Sequence, residues 1–125
     1  MPKSATQKKK TYDRGILAET LAATYLKAKN YKVLETRYKT SYGEIDLIIQ
    51  RGDLIAFVEV KARQSIDQAL ESISSKMRMR IQNAALHYMS ENPATQNYEL
   101  RFDVVAVKPP LSIHHLENAW LAQAL

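Results

Sequence analysis

Between Tyr12 and Lys29 the apolar positions recur every three or four residues. Leu17, Leu21 and Tyr25 form one row, with Ala18 and Ala22 beside it. That spacing predicts an amphipathic helix. Asp13 is placed to cap its start and Asn30 to stop it. The period then changes. "YKVLETRY" (31–38), "EIDLIIQ" (44–50) and "LIAFVEVKAR" (54–63) are rich in β-branched and aromatic residues and are joined by the short polar links "KTSYG" and "RGD". Three strands so closely linked predict an antiparallel meander.

Side chains alternate faces along a strand. Glu44, Asp46 and Ile48 therefore share one face of the second strand, and Ile55, Phe57, Glu59 and Lys61 share one face of the third. Ile45, Leu47 and Ile49, then Leu54, Ala56, Val58 and Val60, fill the other parity. Both faces are apolar, which marks central strands covered on two sides.

Residues 64–72 are polar and read as a loop with a little order. From Ser74 or Ser75 to about Ser90 a second helix is expected, burying Met77, Ile81, Ala84, Ala85 and Tyr88. At about 100° per residue, Lys76, Arg80, Asn83 and His87 fall together on one flank of that stripe. "ENPATQN" is a loop, "YELRFDVVAV" (98–107) a fourth strand, "PP" a break, and "LENAWLAQAL" (116–125) a short terminal helix. The order is α-β-β-β-α-β-α. The last strand returns across a helix, so it is expected to run parallel to one neighbour in a mixed sheet flanked by helices, an α/β fold.

The chain has 125 residues, 46% hydrophobic and 25% charged, an ordinary globular composition for one domain spanning 12–125. Residues 1–11 carry a lysine-rich run and read as a disordered basic tail, either a solubilising arm or a phosphate contact through Lys8, Lys9 and Lys10. There are no cysteines, which excludes disulfides and thiolate zinc sites. The apolar runs are too short to span a bilayer, and none follows the N-terminal lysines as in a secretory signal, so a cytoplasmic protein is expected. The net charge of +5 favours a polyanionic partner.

The charges inside the apolar strands carry the chemistry. Asp46 and Glu59 lie on adjacent strands of one hairpin, and Lys61 is two positions beyond Glu59. Two carboxylates so placed can converge on one Mg²⁺, which takes hard oxygen ligands. The Val60 carbonyl between Glu59 and Lys61 is a further candidate ligand. An ammonium beside an attacking water would stabilise developing negative charge. Acidic-x-Lys arises by chance about once per hundred or so residues. Here the triplet ends the strongly apolar run "LIAFV", occurs once, and has an aspartate on the partner strand. His87, His114 and His115 read as non-catalytic. Asp103 reads as a structural acceptor for Arg101 or Arg63. Tyr38 and Tyr42 could pack or stack on exposed bases.

"GEIDLI", "FVEVKAR" and "RFDVV", with "AE" in the first helix and "NAW" near the end, resemble the YraN family of small bacterial proteins. That family is similar to archaeal Holliday-junction resolvases within the PD-(D/E)xK nuclease superfamily. The resemblance implies a restriction-endonuclease-like fold, and a Mg²⁺- or Mn²⁺-dependent DNA endonuclease acting on branched or structured DNA, as a homodimer if resolvase-like. It implies Asp46 and Glu59 as metal ligands, Lys61 as the catalytic lysine, and Glu19 as a helix carboxylate reaching the metal through water. Lys76 and Arg80 are candidate DNA contacts. The alternative is a non-catalytic nucleic-acid-binding or adaptor protein that keeps the nuclease fold.

Overall fold

A computed structural model of the chain describes residues 4–108 and 112–122, with the backbone alone at 7–14. The elements are α1 (Ala5–Ala28), β1 (Lys32–Lys39), β2 (Glu44–Arg51), β3 (Leu54–Lys61), α2 (Ile66–Glu71), α3 (Ser75–Glu91), a 3₁₀ turn (Pro93–Thr95), β4 (Glu99–Lys108) and β5 (Ser112–Trp120). The strands form one sheet in the order β1-β2-β3-β4-β5. Among the described residues only β3–β4 is parallel; the other three pairings are antiparallel. This is the mixed α/β sheet flanked by helices that the patterning predicts.

Three expectations change. The helix begins at Ala5, so the backbone from residue 5 through the supposed basic tail is helical, and Asp13 lies well inside rather than at the start. Lysine is a good helix former, and no proline interrupts the way to the alanine-rich segment; Gly15, between them, costs only about 1 kcal/mol. The stretch 64–72 holds more order than expected: Ser65 accepts a hydrogen bond from the Gln68 N–H and caps α2.

The third change is larger. "LENAWLAQAL" is not a terminal helix; through Trp120 it belongs to β5, which pairs antiparallel with β4. Leu116, Ala119 and Trp120 mimic a helical period because the strand is irregular. Its register shifts between Phe102 and Val104, and Asn118 takes φ 53°. The bulge turns the Trp120 ring onto Phe102, stacked at 5.3 Å, and closes the edge of β4. The prolines at 109–110 lie outside the described residues.

Two apolar layers sandwich the sheet. α1 lays Ala18, Ala22 and Leu26 on Leu47, Ile49, Ala56, Val58, Val105 and Val107. α2 and α3 lay Ala69, Ile81, Ala84, Ala85 and Tyr88 on Ile48, Ile55, Phe57, Phe102 and Val104. The end of α1 fixes its packing. Asn30 sits at φ 70°, its N–H donates to Lys27 O, and the Tyr31 N–H reaches back to Leu26 O. Those two bonds close a Schellman motif and dock Tyr31 beside Leu26. α3 is capped by Ser74, which accepts from the Met77 N–H. Among the described residues no helix is long and apolar enough to cross a membrane.

Candidate active site

The β2–β3 hairpin turns through Gly52 at φ 60°, a conformation that glycine adopts without strain. From Arg51↔Leu54 the ladder runs five pairs to Leu47↔Val58 and then stops, although β3 continues to Lys61. Where it stops, an Asp46 side-chain oxygen, Oδ2, accepts the Val60 N–H at 2.8 Å. A carboxylate thus stands in for a backbone carbonyl. Alternation along β2 also fails here. Ile45 packs in the same layer as Ile48, while Leu47 and Ile49 pack in the other. The strict two-residue alternation expected for β2 holds from Leu47 onward and breaks before it, at Asp46.

Asp46 therefore meets the Glu59–Val60 segment where the ladder has ended. Glu59 is buried, 5% exposed, and its Oε1 has no hydrogen-bond partner. The Asp46 backbone N–H favours its ionised form, but burial and the Asp46 charge outweigh that and push its pKa well above the ordinary glutamate value. Burial likewise raises Asp46 to about 6, helped by the charges of Glu19 and Glu44 and opposed by the Val60 N–H and Lys61. Lys61 stands partly exposed at the end of β3 and its positive charge favours ionisation of both acids. Two acids that share a place without enough counter-charge hold protons tightly. The pair sits at the carboxyl end of β3, beside the parallel strand β4, where open α/β sheets keep their ligand crevices.

The other expected residues are placed differently. Val60 buries its side chain under α1 and enters the site through its backbone. Glu19 on α1 acts on Asp46 by charge, but its Oε2 is held by the Arg37 Nε at 2.7 Å. Among the described residues no three acidic, histidine or cysteine side chains form a ready metal-binding group. Lys76 and Arg80 are exposed on α3. Arg80 also abuts the start of β2: a Cβ added at Gly43 would lie 3.1 Å from Arg80 Cβ and 3.3 Å from its carbonyl oxygen. Any larger residue there would make helix or strand give by a few tenths of an ångström. The Lys8, Lys9 and Lys10 side chains lie outside the described residues.

Arg37 is a neighbour that the sequence reading missed. It pairs with Glu19 from a strand position with φ 50°, and no local pattern announces that contact. Asp103, expected to be a structural acceptor, has surroundings rich in partners. Arg101 donates to both its oxygens at 2.7 Å, the His115 Nε2 lies at 2.8 Å, and the Asn118 N–H donates at 3.0 Å. Lys29 Nζ donates to the other ring nitrogen of His115 at 2.8 Å, so Nε2 carries the hydrogen that goes to Asp103. His87 pairs with Glu91, and His114 with Ser112.

Residues 18–107 match the model of the family described as "Uncharacterised protein family UPF0102". A UPF0102 protein of Rhodopseudomonas palustris (strain BisB5) is 45% identical over 93% of this chain and 88% of its own length. One of Mesorhizobium japonicum is 44% identical over 93% of each chain. One of Nitrobacter winogradskyi is 42% identical over 87% of this chain and 92% of its own. With matches of this extent, the chain belongs to UPF0102, the YraN family that its strand motifs resemble.

Proposed function

We propose that this protein is a Mg²⁺- or Mn²⁺-dependent DNA endonuclease, with Asp46, Glu59 and Lys61 at its centre. The observation that carries the proposal is the buried, unpartnered Oε1 of Glu59 beside Asp46, two acids with raised pKa at the end of a parallel strand pair. A fold does not keep such a pair for stability, since each buried acceptor left unmade costs about 1–3 kcal/mol. The donors are hard oxygens with surplus negative charge, which fits a divalent cation.

Asp46 and Glu59 would hold the ion, with the Val60 carbonyl as a further oxygen and Glu19 reaching it through water once it shares its contact with Arg37. When bound, the ion supplies an acidified water and neutralises phosphate charge. The chain's own contributions follow from its geometry. The Val60 N–H fixes one Asp46 oxygen, and the other is the one that would take the ion. Lys61 brings a cation to the oxygen on which negative charge grows during in-line attack. Arg80 and Lys76 offer phosphate contacts that position the strand without reading its sequence. If the enzyme acts as a homodimer, two such sites would address two strands of branched DNA.

The test uses purified protein with branched, single-stranded and duplex DNA, in Mg²⁺ or Mn²⁺ and in EDTA. Cleavage that vanishes in EDTA and in Asp46→Ala is the expected result. Mn²⁺ titration followed by calorimetry gives a readout independent of cleavage: one site in the wild type, lost in Glu59→Gln. DNA binding with no cleavage in either metal would overturn the enzyme reading in favour of a nucleic-acid-binding protein on the same fold. The absence of any three-carboxylate group among the described residues is the observation that favours that second reading.

A further inference from the structure

We infer that Tyr42 is a stacking platform for an unpaired DNA base on the strand that reaches Asp46 and Glu59. The inference rests on the nucleic-acid reading above and adds the form of DNA that the site accepts.

Two tyrosines flank the β1–β2 turn, and the structure treats them oppositely. Tyr38 is spent on the core: its ring meets Tyr88 edge-on at 5.4 Å, in the layer under α3. Tyr42 is 52% exposed. The turn does not need its ring. The Thr40 hydroxyl accepts the N–H groups of Tyr42 and Gly43 at 3.0 and 3.1 Å and donates to Gly43 O at 2.8 Å. The backbone is thus held by Thr40, and the aromatic ring at its tip is free to serve another purpose. An aromatic ring half in water forfeits about half of what burying it would contribute.

The surroundings say what the ring can take. Tyr42 forms one wall of an open cavity of about 300 Å³, with Asn83, Leu86, His87 and Ser90 of α3 as the others. The His87 ring stands 5.9 Å from it, tilted by 53°. The cavity therefore joins an aromatic face, one apolar contact in Leu86, and the Asn83 amide, which offers both a donor and an acceptor. That is the chemistry of a nucleobase: a flat π surface with a mixed polar edge.

Position links the cavity to the carboxylates. Tyr42 is four residues before Asp46, and Gly43 between them is pressed on Arg80. A strand with one phosphate at the acids and its backbone passing Arg80 would present a nearby base to Tyr42. In a duplex both faces of that base are already stacked, so only an unpaired base can use the ring. The basic charge of the chain attracts any DNA; Tyr42 selects for strands with an unpaired residue.

The experiment measures binding in EDTA, where metal-dependent cleavage is off. Fluorescence anisotropy would compare a fully paired duplex with the same duplex carrying a single-stranded flap, for wild type, Tyr42→Ala and Tyr42→Phe. Tyr42→Ala is expected to weaken flap binding by about 5- to 100-fold and duplex binding by less than about twofold. Tyr42→Phe keeps the ring and should stay near wild type. A 2-aminopurine in the flap gives a direct readout, quenched by the wild type and by Tyr42→Phe and not by Tyr42→Ala.

Equal losses on both DNAs, an unchanged flap affinity, or no DNA binding at all would overturn the inference. The outcomes separate from those of the nuclease reading. A protein that stacks a flap through Tyr42 yet never cleaves keeps this inference and loses the enzyme. One that cleaves in Mg²⁺ without needing Tyr42 does the reverse.

Discussion

Replacing Asp46 by Asn should make the metal-free protein more stable at neutral and alkaline pH while abolishing cleavage. In the fold the Asp46 carboxyl titrates at about 6, against 3.8 without the fold, chiefly because it is buried, with the charges of Glu19 and Glu44 adding to the rise. The folded state therefore binds the Asp46 proton more tightly than the unfolded chain does. Between these two values the native protein carries more protons, so stability falls as pH rises across that window and stays reduced above it. At about 1.4 kcal/mol per pH unit the full reduction is about 3 kcal/mol. Solvent at the open edge of the site screens part of it, which leaves about 1–3 kcal/mol.

Asn removes the charge and keeps a side-chain oxygen for the Val60 N–H, while its amide can donate to the unpartnered Glu59 oxygen. Urea denaturation in EDTA at pH 8, followed by the fluorescence of Trp120, would measure the gain. With an m-value of about 1–2 kcal/mol/M the midpoint should rise by about 1 M. At pH 4 the wild-type Asp46 is itself protonated in the fold, so most of the gain should disappear. An Asn variant no more stable than wild type at pH 8, or one equally stabilised at pH 4 and pH 8, would refute the reasoning.

Three further outcomes are expected. Lys61→Met should lose cleavage by two orders of magnitude or more, about what one charge-stabilising group contributes, yet keep its Mn²⁺-dependent rise in melting temperature; loss of both would mean Lys61 holds the site together rather than acting in the reaction. Gly43→Ala should cost about 1–3 kcal/mol by overpacking, because its Cβ meets the Arg80 backbone, and should slow cleavage by displacing β2 from α3; urea midpoints and single-turnover rates would show both. Asp103→Ala should cost about 3–5 kcal/mol by leaving Arg101 without its buried partner. Although burial works to raise it, His115, Arg101 and Asn118 hold the Asp103 carboxyl below the ordinary value. Its contribution is therefore present above about pH 4 and fades as pH falls through the lower folded value, so wild-type and variant denaturation curves should approach each other in acid.

The parts of this structure that were readable in the sequence are those where one local rule dominates. The run "LIAFV" admits little but a central strand, and the buried charge that follows it, Glu59, is conspicuous there because burying it is costly. α3 was readable because Ile81, Ala84, Ala85 and Tyr88 recur at a helical period and are buried as expected. What escaped depends on partners distant in sequence. β5 looked helical because its bulge, set by the Asn118 N–H on the Asp103 carboxylate, breaks the period of two. Asp46 departed from strict alternation because it bonds the Val60 N–H where the ladder with β3 ends. The Arg37–Glu19 pair joins a strand to a helix through a left-handed residue, and nothing in either segment announces it.

Asp103 and Glu59 lie in neighbouring, parallel strands and are about equally buried, at 0% and 5% exposure. Burial alone would raise both pKa values, so it cannot explain why they end on opposite sides of normal. The difference lies in their partners. Asp103 receives a bidentate guanidinium, an imidazole N–H and a backbone N–H, and its pKa is lowered. Glu59 keeps an oxygen with no partner beside a second acid, and its pKa is raised. A carboxylate with every lone pair engaged has nothing left to offer a ligand, and it closes the bulge that seats β5. A carboxylate left short at a strand end is destabilising unless something outside the chain completes it. Within one sheet, then, the count of satisfied oxygens separates the acid that builds the fold from the acid that the proposed cation would use.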